Sequence, residues 1–264
     1  MLELRGISKT YNPGTVRELA LLRGFSLKVE EGEFISVVGS NGSGKTSLLN
    51  LICGSMPPDA GQILLDGEDI TRQKEAARCR RIARIYQNPA MGTCANMSIA
   101  ENMALAECKF KRMNLMPALN KARIPAYRQM LGELGMGLEN MMNARAGSLS
   151  GGQRQALSMT MSRLCPADFL ILDEHTAALD PNAADMIMEM TDRMVREGKL
   201  TAIMVTHNLR YALKYGSRLI MMHQGGIEMD VRGEEKKNLH VSDLLAKFQI
   251  ASGGEFANDR MILS

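Results

Sequence analysis

The segment from Gly39 to Thr46, with the sequence GSNGSGKT, constrains the fold of this chain more than any other feature. It fits the pattern G-x-x-x-x-G-K-[ST] and follows FISVVGS, an apolar run typical of a buried strand. From Thr46 onward, the apolar residues Leu48, Leu49 and Ile52 recur at helical spacing. A strand, a glycine-rich loop and a helix in this order predict an α/β fold with a P-loop.

The residue types of this loop suit a phosphate group. Glycines at 39, 42 and 44 let backbone N–H groups face phosphate oxygens, and the following helix points its positive dipole end at the same anion. Lys45 would add a full charge, and Thr46 would offer Mg²⁺ a hard oxygen ligand. An ordinary glycine-rich turn is the alternative. The loop residues predicted to bind ATP are Gly39, Ser40, Asn41, Gly42, Ser43, Gly44, Lys45, Thr46 and Ser47.

A second apolar run, FLILDE at residues 169–174, ends in two carboxylates. Strands of this kind carry acids toward Mg²⁺ at the carboxyl edge of a sheet, so Asp173 is predicted to hold the metal through water. Glu174 lies one residue further and is predicted to orient and polarise the attacking water. An isolated pair of surface acids is the alternative, which the preceding strand disfavours.

A third element, LSGGQ at residues 149–153, precedes an arginine-containing helix, and a general P-loop ATPase has no use for it. With it the sequence resembles the ABC ATPases. Further matches to that family follow in the expected order: Tyr11, Gln87 in IYQNP, Asp180 in AALD, and His207 in VTHN. The resemblance implies an ABC-type P-loop NTPase core with an antiparallel β subdomain and an inserted helical subdomain.

The resemblance also implies a role for each of these residues. Tyr11 would stack on adenine, Gln87 would sense Mg²⁺ and the attacking water, and His207 would contact the γ-phosphate. The catalytic set is therefore Glu174, His207 and Gln87, and the metal set is Thr46, Gln87 and Asp173. A second subunit would seal the nucleotide with Ser150, Gly151, Gly152, Gln153 and Asp180.

Several longer segments are similar to the tryptophan/tyrosine-type transport ATPases of importers. They include GTCANMSIAENMALA and VTHNLRYALKYGSRLIMMH, and EHTAALDP places His175 where many ABC ATPases have proline. His175 is either a structural variant of this subgroup or a group that tunes Glu174. The resemblance implies ATP and Mg²⁺ as cofactors, and as partners a second ATPase copy, a membrane permease and an extracytoplasmic solute-binding protein.

Composition narrows the alternatives. A net charge of +3 on 264 residues is mild, and the basic stretch from Arg78 to Arg84 lacks interleaved aromatic residues, so we expect a solvated helix face and no nucleic-acid partner. The five cysteines form no CxxC pair, and no apolar run approaches the ~18 residues needed to cross a bilayer. These features predict a cytoplasmic protein whose link to a membrane must come through a partner, and the resemblance implies that this partner is a permease at the inner face of the membrane.

The order of patterns predicts a single ABC ATPase domain of residues 1–264. Residues 1–87 and 166–233 would form the core, residues 88–165 a helical lobe, and residues 234–264 a tail with a loose end. In the tail, Val241, Leu244, Leu245 and Phe248 have helical spacing and predict a short docked helix. The predicted core-filling methionines are Met159, Met161, Met186, Met188, Met190, Met221 and Met222.

Other functions remain open at this point. Residues 88–115 are the candidate surface for the permease, but they could equally be an internal part of the lobe. An exporter or lipoprotein-release ATPase has a similar size. A soluble ATPase that remodels ribosomes or DNA usually carries two fused halves, and a nucleotide switch without hydrolysis would be expected to have lost Lys45, Glu174 or Ser150.

Overall fold

A computed structural model describes residues 1–16, 18–109, 119–165 and 167–251. The chain divides into two compact units. The first comprises Met1–Cys79 together with the described residues from Val195, and the second comprises Arg80–Met194. The predicted division into core, helical lobe and tail stays a prediction.

Strands and helices alternate along most of the described chain. In chain order the strands are β1 (Leu2–Tyr11), β2 (Leu19–Val29), β3 (Phe34–Gly39), β4 (Ala60–Leu65), β5 (Glu68–Asp69), β6 (Ile82–Ile85), β7 (Phe169–Asp173), β8 (Thr201–Val205), β9 (Arg218–His223) and β10 (Gly226–Arg232). The α-helices are α1 (Lys45–Cys53), α2 (Glu75–Arg78), α3 (Ile99–Cys108), α4 (Ile124–Gly132), α5 (Gly151–Arg163), α6 (Pro181–Gly198), α7 (Leu209–Lys214), α8 (Gly233–Lys237) and α9 (Val241–Ala251). Among these described residues, no helix combines the length and apolar composition needed to span a bilayer.

The first unit contains an antiparallel sheet and a set of mainly parallel strands. The antiparallel sheet has the order β2-β1-β4-β5, and Leu2 of β1 lies opposite both Val29 and Leu65 in a buried layer. In the other set, β3 pairs in parallel with β8 on one side and β9 on the other, while β10 pairs antiparallel to β9. All six residues of β3 are buried, as expected for a strand with an apolar run and two neighbours.

Helix α1 follows β3 through the glycine-rich loop. It begins at Lys45, one residue earlier than predicted, and Leu48, Leu49 and Ile52 are all fully buried on the predicted face. It ends at Gly54, whose φ of 81° lies in the left-handed region and whose N–H donates to the Asn50 and Leu51 carbonyls. The predicted order of strand, loop and helix is confirmed.

The second unit combines a parallel strand pair with helices. Strands β6 and β7 pair with Ile82 opposite Phe169 and Ile85 opposite Leu172. Between residues 88 and 165 the described residues form α3, α4, α5 and short 3₁₀ turns, with one isolated bridge from Ser98 to Arg145. The described part of this segment is therefore mostly helical, as predicted.

The tail contains the predicted docked helix. In α9, Leu244 and Phe248 are buried, and Val241 and Leu245 pack against the same apolar cluster. The charged stretch before it forms the short helix α8, which the sequence pattern did not indicate. The predicted loose end, residues 252–264, lies outside the described residues.

The expectation of a solvated basic face was wrong for Arg78. Its side chain is 2% exposed, and its guanidinium donates to the carbonyls of Leu51, Ile52, Thr71 and Gln73 at 2.7–3.0 Å. Two of these carbonyls belong to the last turn of α1, where the helix leaves its final carbonyls short of intrahelical donors. Burial lowers the pKa of Arg78, while the four hydrogen bonds stabilise its charged guanidinium group.

Two other details also differ from expectation. Arg84 does not lie on a helix but in β6, where it is mostly buried in an ion pair with Asp173. Met159, Met188, Met221 and Met222 are buried as predicted. Met186, however, is 44% exposed, so it does not fill the core.

We expect Arg78→Met to lower the free energy of unfolding by about 2–4 kcal/mol, because four carbonyl oxygens would lose their buried donor. The measurement is urea denaturation followed by circular dichroism. Arg80, which is exposed, provides the matched control, and Arg80→Met should change the stability by less than about 0.5 kcal/mol. Equal effects of the two substitutions would contradict this role of Arg78.

Candidate nucleotide-binding and hydrolysis site

Lys45 lies inside the loop that the sequence assigns to phosphate binding. Its side chain is 6% exposed, and Nζ donates to the carbonyls of Gly39 at 2.7 Å and Ser40 at 2.9 Å. The backbone thus curls around the ammonium group at the start of α1. This arrangement places a full positive charge beside the positive end of a helix dipole, which is what a polyphosphate requires.

The glycines of the loop are needed by its shape. Gly42 and Gly44 have φ values of 79° and 100°, in the left-handed region that side chains rarely adopt. At Gly39 a Cβ atom would lie 2.5 Å from both the Met222 carbonyl oxygen and Ser43 Oγ. Only glycine therefore fits at the end of β3.

Ser43 supplies a further sign that an anion belongs here. Its Oγ is buried and has no hydrogen-bond partner among the described residues, although buried hydroxyl groups are normally paired. A phosphate oxygen is an acceptor that could satisfy it. The residues present thus fit a nucleotide triphosphate, and Thr46 at the first turn of α1 offers the oxygen that Mg²⁺ prefers.

Two other predicted residues lie in the first unit. Tyr11 ends β1 with 55% of its surface exposed, so its ring is available for stacking. His207 follows β8, which runs parallel to β3 with Val205 opposite Val37. The loop after β3 and His207 after β8 therefore leave from the same carboxyl edge of the strands.

Asp173 and Glu174 end β7 in the second unit. The Asp173 carboxylate accepts a hydrogen bond of 2.6 Å from Arg84 Nη2, and both side chains are mostly buried. Glu174 has a φ of 47°, an uncommon conformation that turns the chain sharply after the strand. The ion pair with Arg84 was not foreseen, because nothing in the local sequence links a residue of β6 to one of β7.

His175 follows directly and is buried. Its Nε2 lies 3.0 Å from Thr191 Oγ1, and the Thr191 hydroxyl donates to the Ile187 carbonyl at 2.7 Å. With the single hydroxyl proton directed to Ile187, Nε2 of His175 acts as the donor in the first contact. Burial lowers the pKa of His175 to about 4, so the ring is neutral near pH 7. These contacts favour the structural interpretation of His175.

The segment LSGGQ forms the beginning of α5. Ser150 is the N-cap: its Oγ accepts from the Gln153 N–H, and Gln153 Oε1 accepts from the Ser150 N–H, both at 3.2 Å. Ser150 and Gly151 are exposed. Gly152 is buried, and a Cβ atom there would lie 3.1 Å from Ala183. Helix α5 has 13 residues, and its exposed, capped N-terminus can receive an anion.

Asp180 and Gln87 are exposed on the same unit. Asp180 caps α6, since its Oδ1 accepts from the Ala183 N–H at 3.0 Å. Gln87 follows Tyr86, whose carbonyl accepts from the Nε2 of the fully buried Gln155 in α5. The segment that carries Gln87 is therefore tied to the helix that begins after Ser150.

The predicted site residues fall into two groups. Tyr11, the loop from Gly39 to Ser47 and His207 belong to the first unit. The others belong to the second unit, and they are Gln87, Ser150, Gly151, Gly152, Gln153, Asp173, Glu174 and Asp180. Among the described residues, no cluster of three or more His, Cys, Asp and Glu side chains could hold a metal alone.

We expect Gly39→Ala to lower the free energy of unfolding by about 2–3 kcal/mol and to weaken nucleotide binding, because the added methyl group would collide with the Met222 carbonyl. The matched control is Gly226→Ala, where the nearest atom to an added Cβ is 3.7 Å away and the backbone is unstrained. Urea denaturation and titration with a fluorescent nucleotide measure the two effects. Unchanged nucleotide affinity in Gly39→Ala would show that the loop does not grip phosphate.

Comparison with known proteins identifies the family of this chain. A family model described as ABC transporter matches residues 22–177. The Tyrosine transport ATP-binding protein of Clostridioides difficile is 42% identical over 95% of this chain and 100% of its own length. The ABC transporter ATP-binding protein YxdL of Bacillus subtilis is 31% identical over 98% of this chain and 96% of its own.

Solved structures agree as well. The ATP-binding cassette MJ0796, in a dimeric post-hydrolysis state bound to ADP and Pi, has a TM-score of 0.75 and 25% identity, covering 88% of this chain and 98% of that one. The ADP conformation of the cassette MJ1267 has a TM-score of 0.75 and 26% identity over 95% and 98%. The predicted fold class is confirmed. The chain belongs to the ABC transporter family, as an ATP-binding and ATP-hydrolysing subunit.

Proposed function

We propose that this chain is the motor of an importer for an amino acid or a similar small solute, and that two copies close head to tail over two Mg²⁺-ATP molecules. The dimer is inferred from the N-terminus of α5, which is exposed and capped by Ser150. The loop around Lys45 already provides one helix N-terminus for phosphate, so a second one is suited to the nucleotide of the opposite copy.

Hydrolysis is assigned to a small set of side chains. Lys45 and the loop amides bind the β- and γ-phosphates, and Thr46, Gln87 and Asp173 are the residues that would hold Mg²⁺. When bound, Mg²⁺ would neutralise charge on the phosphates. Glu174 lies outside this metal set and polarises the attacking water, while His207 donates to the γ-phosphate. Arg84 holds one Asp173 oxygen and so fixes the direction of that carboxylate.

Closure of the dimer completes the site. Ser150, Gly151, Gly152 and Gln153 of one copy approach the γ-phosphate held by the other, and Asp180 spans the interface. Charge that develops in the transition state is stabilised only when donors surround it and water is excluded. The cassette MJ0796, which resembles this chain, is dimeric in its state with ADP and Pi.

Coupling to transport requires a permease on the helical lobe. Within residues 88–109 the apolar side chains of Met91 and Leu105 are 66% and 45% exposed, and both are available to a partner surface. The rest of α3 is largely internal, with Ile99 and Met103 fully buried, so the docking surface is narrower than the predicted segment. Residues 110–115 of that segment lie outside the described residues.

The choice of import and of solute rests on relatives. The Clostridioides difficile protein is named for tyrosine transport, and another relative, from Mesoplasma florum, is named a spermidine/putrescine import ATP-binding protein with 30% identity. We place the chain at the inner face of the membrane, bound to a permease that receives its solute from an extracytoplasmic binding protein. Co-purification with a co-expressed permease tests this placement.

We expect Glu174→Gln to retain ATP binding, to lose at least about 100-fold in turnover and to accumulate closed dimers, because only the water-polarising carboxylate is removed. Lys45→Ala should instead weaken ATP binding itself. Calorimetry measures ATP binding, and an assay of released phosphate measures turnover. Applying both to each variant separates the two roles. Turnover of the Glu174→Gln variant at the wild-type rate would show that another group activates the water.

We expect Ser150→Arg to leave ATP binding by the single chain intact and to abolish ATP-driven dimerisation, because the long side chain would occupy the anion site of α5. Size-exclusion chromatography of the Glu174→Gln protein with and without Ser150→Arg, in Mg²⁺-ATP, measures the dimer fraction. Ser55→Arg, at an exposed serine after α1, is the control and should still dimerise. A dimer of the Ser150→Arg protein would rule out the head-to-tail arrangement.

A further inference from the structure

We infer that the C-terminal segment formed by α8 and α9 positions His207 for hydrolysis, by fixing the short helix α7 that begins directly after it. This inference rests on the proposed function, in which His207 contacts the γ-phosphate. Phe248, Leu244 and Lys236 are positioning residues in this account, because each acts through α7 and does not touch the nucleotide itself.

The backbone at His207 is anchored differently on its two sides. Before it, β8 is fully buried, and the Thr206 N–H continues the pairing by donating to the Val37 carbonyl at 3.1 Å. After it, Asn208 caps α7 by accepting from the Arg210 and Tyr211 N–H groups. The side before His207 is therefore held by a strand ladder, and the side after it by the Asn208 cap at the start of a helix of six residues.

A helix of six residues is not stable by itself, so its orientation depends on the residues packed against it. Isolated helices shorter than about 12–15 residues are marginal in water, so most of their stability comes from packing of an apolar face. In α7 the buried part of that face consists of Leu209, which is 4% exposed, and Ala212, which is fully buried, and Leu213 packs beside them. The position of α7 is thus set by whatever covers these two residues.

The tail helix covers them together with residues of β3, β9 and β10. Leu209 and Ala212 share one apolar cluster with Leu244 and Phe248 of α9, at 0% and 3% exposure. The cluster also contains Val38, the residue before Gly39. A single core therefore joins the strand that carries the phosphate loop, the helix after His207 and the tail.

The other end of α7 is held by α8. Lys236 is 4% exposed, and its Nζ donates to the carbonyl of Tyr215 at 2.5 Å and to that of Gly216 at 2.8 Å. These carbonyls follow the last residue of α7, where an ammonium group complements the negative end of a helix. Ser36 of β3 donates to the same Tyr215 carbonyl at 2.8 Å, so the helix end is fixed to the central strand and to the tail together.

Loosening the tail should affect His207 more than the phosphate loop. Val38 lies in β3, which pairs with β8 and β9, so its backbone stays in place when a neighbouring side chain is shortened. Helix α7 has no such ladder. A shift of about 1 Å in a group that acts on the γ-phosphate can cost about 100-fold in rate, whereas binding through Lys45 would persist.

The test uses the full-length protein with Phe248→Ala and, separately, Lys236→Met. We expect each to lower kcat for ATP hydrolysis at least about tenfold, to leave the Kd for Mg²⁺-ATP within about twofold, and to speed amide hydrogen exchange at residues 207–213. Phe248→Leu should restore most of the rate. Lys236→Met changes little volume, so it keeps the test valid if Phe248→Ala does not fold.

Two control variants separate positioning from general destabilisation. Phe25→Ala makes a similar cavity in the antiparallel sheet, where Phe25 is 4% exposed, and Ile250→Ala removes a side chain of α9 that is 77% exposed. Both should retain kcat and the exchange rates at 207–213. The inference is overturned if Phe25→Ala lowers kcat as much as Phe248→Ala, or if both tail variants fold and show unchanged kcat and exchange. If the wild-type chain hydrolyses no ATP, the proposed function fails, and the exchange rates alone decide the inference.

Discussion

The parallel pairing of β3 with β8 and β9 is the constraint on which the candidate site of the first unit depends. It fixes the carboxyl ends of β3 and β8 at one edge, and the loop around Lys45 and the turn at His207 leave from that edge. The strand is buried on both faces, so its residues are apolar and its only polar side chain, Ser36, donates to the Tyr215 carbonyl. The site can be rigid because its support is a ladder of backbone hydrogen bonds, which does not depend on any one side chain.

Features that depend on neighbouring residues could be predicted from the sequence. The phosphate loop needs glycine where φ is positive, and the order of strand, loop and helix is visible in the periodicity of apolar residues. The cap of α5 is equally local, because Ser150 and Gln153 are three residues apart and satisfy each other's backbone N–H groups. The apolar face of α9 could be predicted for the same reason, because its apolar residues recur at helical spacing.

Features that join distant segments could not be predicted. Arg78 meets carbonyls 26 and 27 residues away, and Arg84 meets Asp173 across 89 residues of sequence. A charged segment has the same sequence pattern whether its side chains are solvated or buried, because the hydrogen-bond acceptors that would allow burial lie elsewhere in the chain. The interpretation of the basic stretch failed for that reason. Lys236 shows the same limit, because a lysine in a charged tail gives no sign that it ends a helix 22 residues earlier.

The arrangement of helix ends also bears on why such a chain would act in pairs. Each copy presents two helix N-termini suited to phosphate: α1, which encloses Lys45, and α5, whose cap leaves Ser150 and Gly151 exposed. Donors that face solvent gain little from an anion, because water competes with them, whereas donors sealed against a second surface gain much more. A second copy would supply that surface for α5 and, by symmetry, would receive the same from the first. Both nucleotides would then be enclosed in the same closing step, so binding free energy at both sites would contribute to closure of the dimer.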